Sequence, residues 1–243
     1  MKLHLLGVNG PFPESNGATS GYLLEAGSTL IQFDLGSGVL ARLTAKTAPE
    51  GLSALFLSHW HFDHAADLPV LMYRLEAMGF GKNGKALDIY APVDESSALR
   101  KTAAAAACFR LHNIVPGDTV FIVNCAVTAG EARHPVPAVG FRIESGGRVL
   151  GYTGDTNTLS SLAGFYRGSH LLLADGLFPE SAWEEMKPHL SASLAASLAK
   201  EAGVPRLVLT HLNPLFPAMQ LLQEARKYHP DVSLAVPGQV LEV

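Results

Sequence analysis

Short apolar runs of strand length punctuate the chain, at residues 3–7, 22–25, 30–34, 54–57, 89–91, 120–123, 140–143, 149–152, 171–174 and 207–210. Between several of them apolar positions recur at helical spacing, over 39–46, 68–78, 94–111, 191–202 and 217–228. This alternation predicts an α/β protein. The first strands follow one another without helices, as antiparallel hairpins do, whereas helices separate the later strands of each region, so a mixed sheet pair with helices outside is expected. The alanine run at 103–107 reads as part of the helix over 94–111, since alanine is the best helix former. Cys108 is expected in that helix and Cys125 in a strand.

Composition narrows the classes. The 243 residues are 48% apolar and 16% charged, enough for a sizeable core. No Ser/Gly-rich linker, sustained charge run or short-period repeat divides them, so a single domain over 1–243 is expected. Lys+Arg 18 against Asp+Glu 22 gives a formal net charge of −4 with no long basic block, which leaves a polyanion-coating surface without support and favours a small substrate. The short basic turn Lys82-Asn83-Gly84-Lys85 reads as a solvated loop. Two cysteines without CxxC spacing exclude a disulfide scaffold and a thiolate zinc finger. Residues 1–10 read as a strand rather than a signal peptide, and no apolar run reaches membrane-spanning length, so a cytoplasmic protein without a membrane partner is expected.

Histidine usage changes the picture. Of ten histidines, three fall within Ser58-His59-Trp60-His61-Phe62-Asp63-His64. In an extended segment His59, His61 and Asp63 share one face while Trp60 and Phe62 point into the core. Asp63 stands where a helix is expected to start, a position that favours a carboxylate and turns the chain so that His64 comes alongside. Burying so many imidazoles and carboxylates without a compensating cation would cost several kcal/mol, so the pattern points to a metal. His134, Asp155 and His211 stand at further strand ends or in Gly-rich turns. With the first cluster they make seven N/O donors, more than one zinc needs and suited to two metals sharing a carboxylate.

The run His59-Trp60-His61-Phe62-Asp63-His64 matches the HxHxDH signature of the metallo-β-lactamase fold, and the downstream order His134, Asp155 in Gly-Asp-Thr, then His211 in Thr-His matches it too. Asn16 through Glu25 and Phe33-Asp34-Leu35-Gly36-Ser37-Gly38 also resemble that superfamily's opening strands. The chain resembles most the branch of ribonuclease Z and small phosphodiesterases. The resemblance implies a four-layer αββα sandwich with a dinuclear site at one edge of the two sheets. It assigns His59, His61 and His134 to one metal, Asp63, His64 and His211 to the other, and Asp155 to the bridge. The donor set is hard to borderline and suits two divalent ions, zinc first, with manganese or iron as alternatives.

Implied with it is a metal-dependent hydrolase, a phosphodiesterase acting on a small or nucleotide-like phosphodiester by attack of metal-bound hydroxide, with Asp63 orienting the nucleophile and His189 facing the leaving group. A lactone or thioester hydrolase of the same fold, or a ribonuclease Z-like RNA endonuclease, is the alternative. Two departures bear on the RNA reading. Where ribonuclease Z carries His-Glu-Ala-Thr this chain has Ala174-Asp175-Gly176-Leu177, so Asp175 and His189 are left as a candidate pair. The long arm that grips transfer RNA has no counterpart, so long nucleic acid is not expected as a partner. A homodimer is compatible with this reading. Relatives with a redox diiron centre replace the second histidine of the signature, which this chain keeps as His61. Asp34 is expected either to close its own turn or to reach the metal ligands from behind. His4, His112, His170 and His229 show no partner pattern.

Overall fold

The computed structural model describes residues 1–82 and 84–243; Asn83, in the basic turn at 82–85, lies outside the described residues. Two seven-stranded sheets form the interior. The first holds β1 (Lys2–Gly7), β2 (Gly21–Ala26), β3 (Thr29–Phe33), β4 (Ala54–Phe56), β5 (Leu87–Ala91), β6 (Phe109–Asn113) and β14 (Val240–Glu242), in the order β14-β1-β2-β3-β4-β5-β6. The second holds β7 (Thr119–Ile122), β8 (Cys125–Glu131), β9 (Val139–Ser145), β10 (Arg148–Tyr152), β11 (Leu171–Asp175), β12 (Leu207–Thr210) and β13 (Val232–Leu234), in the order β13-β12-β11-β10-β9-β8-β7.

Each sheet is antiparallel where hairpins connect its strands and parallel where helices do. β14, β1, β2 and β3 pair antiparallel, then β3 to β6 parallel; β7 to β10 pair antiparallel, then β10 to β13 parallel. This is the mixed arrangement expected from the order of runs.

Side-chain alternation produces the layers. On β2, Tyr22 and Leu24 face the second sheet while Leu23 faces outward; on β4, Ala54 and Phe56 face inward and Leu55 outward. The inward sets meet Val127, Phe141, Ile143, Leu150 and Tyr152 of the other sheet. Phe33, Phe56 and Phe141 pack together there with ring centroids 5.4–5.6 Å apart, the first two stacked and Phe141 tilted or edge-on to them. The outward sets are covered by α1 (Val39–Thr44), α3 (Leu68–Ala77) and α4 (Ala98–Ala105) on the first sheet, and by α5 (Leu162–Tyr166), α6 (Ala192–Glu201) and α7 (Ala218–Arg226) on the second. The result is the four-layer αββα sandwich expected of the fold.

The helix expected over 94–111 is shorter. Ser97 caps α4 by accepting from the Arg100 N–H, and Ala106 is already extended at φ −87°, ψ 117°. The following residues alternate apolar Phe109 and Leu111 with polar Arg110 and His112 and pair in parallel with β5, so period-2 burial against an existing edge prevails over alanine's helix propensity. Cys108 therefore lies buried in the turn before β6, not in a helix; Cys125 opens β8 as expected. Among the described residues no helix is long and apolar enough to cross a membrane.

Candidate metal centre

The segment after β4 is extended only through His61, at φ −64°, ψ 153°, where α2 (Phe62–Ala65) begins. The helix thus starts one residue before the alternation was expected to end at Asp63. Trp60 is buried, its Nε1–H donating to the Pro92 carbonyl at 2.8 Å, but Phe62, expected in the core, is 70% exposed. Helical rotation of about 100° per residue then brings Asp63 and His64 round to join His59 and His61.

The remaining donors arrive from ends of the second sheet. His134 follows β8, Asp155 follows β10 through Gly154, and His211 follows β12. Gly154 has φ +57°, and a Cβ there would stand 2.9 Å from both Ser58 Cβ and the Val139 carbonyl, so only glycine makes this turn. His211 itself lies in the left-handed region at φ 55°, its ring packed against Gly10, where a Cβ would fall 2.0 Å from Nε2.

Two groups of donor atoms result. Donors of His59, His61, His134 and Asp155 lie within 4.8 Å of one another, as do those of Asp63, His64, Asp155 and His211. Asp155 belongs to both. Asp155, Asp175, His189 and His211 form a third group of the same span. All seven residues expected as ligands are therefore brought together, in the partition expected, and Asp175 meets His189 with Oδ2 2.8 Å from Nδ1.

Contacts behind the donors fix which ring nitrogens face inward. His134 Nδ1 donates to the Pro188 carbonyl at 3.2 Å, which leaves its Nε2 as a lone pair towards the cluster, and His64 Nδ1 donates to Asp34 Oδ2 at 2.8 Å, which turns its Nε2 inward. The inward atoms then crowd: His61 Nδ1 is 3.0 Å from His59 Nε2 and 3.1 Å from His134 Nε2. Asp34, fully buried, also accepts from the Ser58 N–H at 2.7 Å, the Ser58 hydroxyl at 2.9 Å and the Tyr152 hydroxyl. Of the two roles expected of Asp34, this is the one that reaches a donor residue.

Electrostatically the two groups differ. Burial pushes His59 well below the ordinary imidazole range, with His64, His134 and His61 adding to it, and carries His134 down to about 4. Burial lowers His61 too. Burial opposes the protonation of His64 and His211 as well, yet Asp155, Asp34 and Asp63 raise His64 well above its ordinary value, and Asp155, Asp175 and Asp63 bring His211 to about 10. Asp63, Asp155 and Asp175 stay below the usual carboxylate range because the imidazoles beside them outweigh burial. Asp155 Oδ1 and His211 Nδ1 are buried with no hydrogen-bond partner. An orphaned, buried oxygen on the carboxylate that both donor groups share is what a cation would satisfy.

The sequence did not point to Asn157. It is fully buried, its amide donating to the Glu185 carbonyl at 2.9 Å and to the Lys187 carbonyl. With His134 on the Pro188 carbonyl and Trp183 Nε1 on the His189 carbonyl at 2.9 Å, three side chains hold three consecutive carbonyls of the loop that carries His189. Its position two residues after Asp155 was the only available signal, and without the fold nothing marks its partner.

This sandwich with its edge cluster defines a metallo-β-lactamase-fold protein, and the chain belongs to that superfamily: the model of the β-lactamase superfamily domain matches residues 21–212. The chain is 32% identical to the probable metallo-hydrolase YhfI of Bacillus subtilis over the full length of both. The crystal structure of YhfI, a metallo-β-lactamase fold protein, matches with TM-score 0.91 over 99% of this chain and 98% of that one, at 30% identity. Ribonuclease Z of Methanosarcina mazei is 26% identical over 302 residues, spanning 100% of this chain and 98% of the relative. A diphosphatase of the PhnP family shares the fold, with TM-score 0.77 over 100% and 97% of the two chains at 16% identity.

Proposed function

We propose that this protein is a dinuclear metal-dependent hydrolase of small or nucleotide-like phosphodiesters, built as a single cytoplasmic domain. The observation that carries the reading is Asp155: one buried carboxylate common to two groups of donors, its Oδ2 3.2–3.6 Å from His59, His64 and His211 and its Oδ1 without a hydrogen-bond partner. Donors without thiolate, three imidazoles on one side and two with a carboxylate on the other, fit two divalent ions, zinc first, then manganese or iron. When bound, such a pair lowers the pKa of a shared water and neutralises charge on phosphoryl oxygens.

The chain's own residues supply the rest. Asp63 Oδ2 accepts from His211 Nε2 at 3.0 Å, and its other oxygen, with no partner among the described residues, is available to orient a water. Asp175, held as a carboxylate, accepts from His189 Nδ1 and fixes that tautomer, so Nε2 is the edge that takes up the proton given by the attacking water and passes it to the departing oxygen. As the water oxygen bonds to phosphorus, the ester P–O bond breaks and its oxygen leaves protonated.

The phosphodiester choice is supported by the likeness to ribonuclease Z, and the choice of a small substrate by the cavities. His134 lines a cavity of about 440 Å³ walled by Pro92, Val93, Val115, Pro116, Val136 and Pro137, a size and lining suited to the organic part of a small ester. The test is an activity screen of metal-loaded protein against bis-nitrophenyl phosphate, cyclic nucleotides, short RNA, precursor transfer RNA, lactones and thioesters. Cleavage of small phosphodiesters in preference to the rest is expected. Preference for lactones or thioesters, or efficient salt-sensitive processing of precursor transfer RNA, would replace the reading with one of its alternatives.

A further inference from the structure

On its other side His134 lines a smaller cavity, of about 200 Å³, walled by Arg133, Pro135, Met186, Lys187 and Pro188. Some surface cations pair with carboxylates, as in Arg74–Glu50, Arg110–Asp88 and Lys227–Glu180. Arg133 and Lys187 have no carboxylate within ion-pair distance among the described residues. Glu184 and Glu185, exposed in the same loop as Lys187, do not line the cavity.

Both cations also stand on fixed backbone. The Arg133 N–H donates to Thr156 Oγ1 and its carbonyl accepts from the Asn157 N–H, each at 2.9 Å, while the Lys187 carbonyl accepts from the buried Asn157 amide. The Lys187 ammonium stands 5.5 Å from the Phe178 ring centre, and that ring packs 6.0 Å from His189. Two cations without a carboxylate partner, on backbone held by the two residues that follow Asp155, thus flank a cavity wall shared with a candidate metal ligand. The Arg133 guanidinium reaches the Glu185 carbonyl only at 3.5 Å, a long contact that an anion would displace, and the backbone beneath both side chains needs no reordering on binding.

We propose that this cavity is an anion subsite that takes a phosphate monoester borne by the substrate beside the scissile diester. The proposal rests on the phosphodiesterase reading and narrows it to substrates with a second phosphate. At about 200 Å³ the cavity holds a hydrated phosphate, but it is smaller than sites that enclose a whole small molecule, which run to roughly 300–1,000 Å³. The Arg133 guanidinium offers two parallel donors to phosphate oxygens and the Lys187 ammonium a point charge. The nucleoside goes to the apolar cavity across His134.

The test compares two dinucleotides that differ by one group: a 3′,5′-linked diadenosine with a free 5′-hydroxyl and the same molecule with a 5′-phosphate. Metal-loaded wild type is expected to cleave the phosphorylated one with kcat/KM about tenfold higher or more, mostly through KM, since one charge-assisted contact is worth roughly that factor. In the Arg133→Ala/Lys187→Ala variant this ratio is expected to fall to near one. A ratio near one in wild type, or a ratio that survives the double substitution, overturns the subsite. Calorimetric binding of a phosphonate analogue of each dinucleotide, unable to be hydrolysed, gives a readout independent of turnover. If neither ester is cleaved yet the analogue ratio collapses in the variant, the phosphodiesterase reading fails and the subsite stands; equal binding of both analogues by wild type removes the subsite whatever the activity.

Discussion

The two halves of the donor cluster use the same residue types to opposite electrostatic ends. Around His59, His61 and His134 three imidazoles share one carboxylate, and burial with mutual repulsion holds them neutral. Around His64 and His211 the carboxylates of Asp34, Asp63, Asp155 and Asp175 crowd two imidazoles and hold them protonated. The carboxylate-rich half can balance its own charge with protons, whereas the imidazole-rich half converges neutral ring nitrogens 3.0–3.1 Å apart that a cation would reconcile. Asp155 is the one residue that answers to both.

The sharpest way to break this comparison is to remove the shared member. Asp155→Ala is expected to lower hydrolysis by about 10³-fold or more while the circular dichroism spectrum is retained, because the carboxylate joins the halves but adds nothing to the apolar core. Near-wild-type turnover in a folded variant would separate the two halves functionally. His189→Ala lies outside both groups assigned to metals, so metal content should be unchanged. Its loss of rate on a nucleoside or alkyl ester should exceed that on an activated nitrophenyl ester by about ten- to a thousandfold, the range of a positioned acid. Equal losses on the two esters would mark orientation or packing in place of proton transfer.

Asp34→Ala attacks one half from behind. It strips partners from Ser58, His64 and Tyr152 at a fully buried position, so unfolding stability should drop by about 3–5 kcal/mol in chemical denaturation, with metal lost first from the His64 side. A loss under about 1 kcal/mol would mean that the network is dispensable.

The smallest effect is a pH profile of chelated protein. His134, depressed from near 6.5 to about 4, charges in the unfolded chain before the folded one, so its half loses stability as pH falls from about 6.5 towards 4. His211, raised to about 10, contributes stability below about 6.5 that is lost as pH rises towards 10. Melting temperature should therefore fall on both sides, His134→Gln making the acid limb shallower and His211→Gln the alkaline one, with His59 and His61, and His64, carrying the remainder. A profile unchanged by either substitution would contradict the charge assignment.

How much of this was legible in the sequence depends on whether the information was local. His59, His61, Asp63 and His64 fall within six residues, and their shared chemistry shows before any fold is known. His134, Asp155 and His211 could be picked out only as donors at strand ends, with the family resemblance supplying their grouping. Phe62 was misplaced because the helix starts there, one residue before the alternation was expected to end. The reading of 94–111 failed because pairing with β5 is a long-range gain invisible in a window of alanines. Asn157 was missed for the same reason: its amide has no meaning until the loop carrying Lys187 and His189 folds onto it.

The central claim is that one carboxylate joins two metal positions, and elemental analysis of protein purified without chelators tests it most directly. About two divalent ions per chain are expected in the wild type, falling to about one in His134→Ala, whose other half is intact. A reproducible absence of bound metal in the wild type, with none gained on reconstitution, would contradict the account.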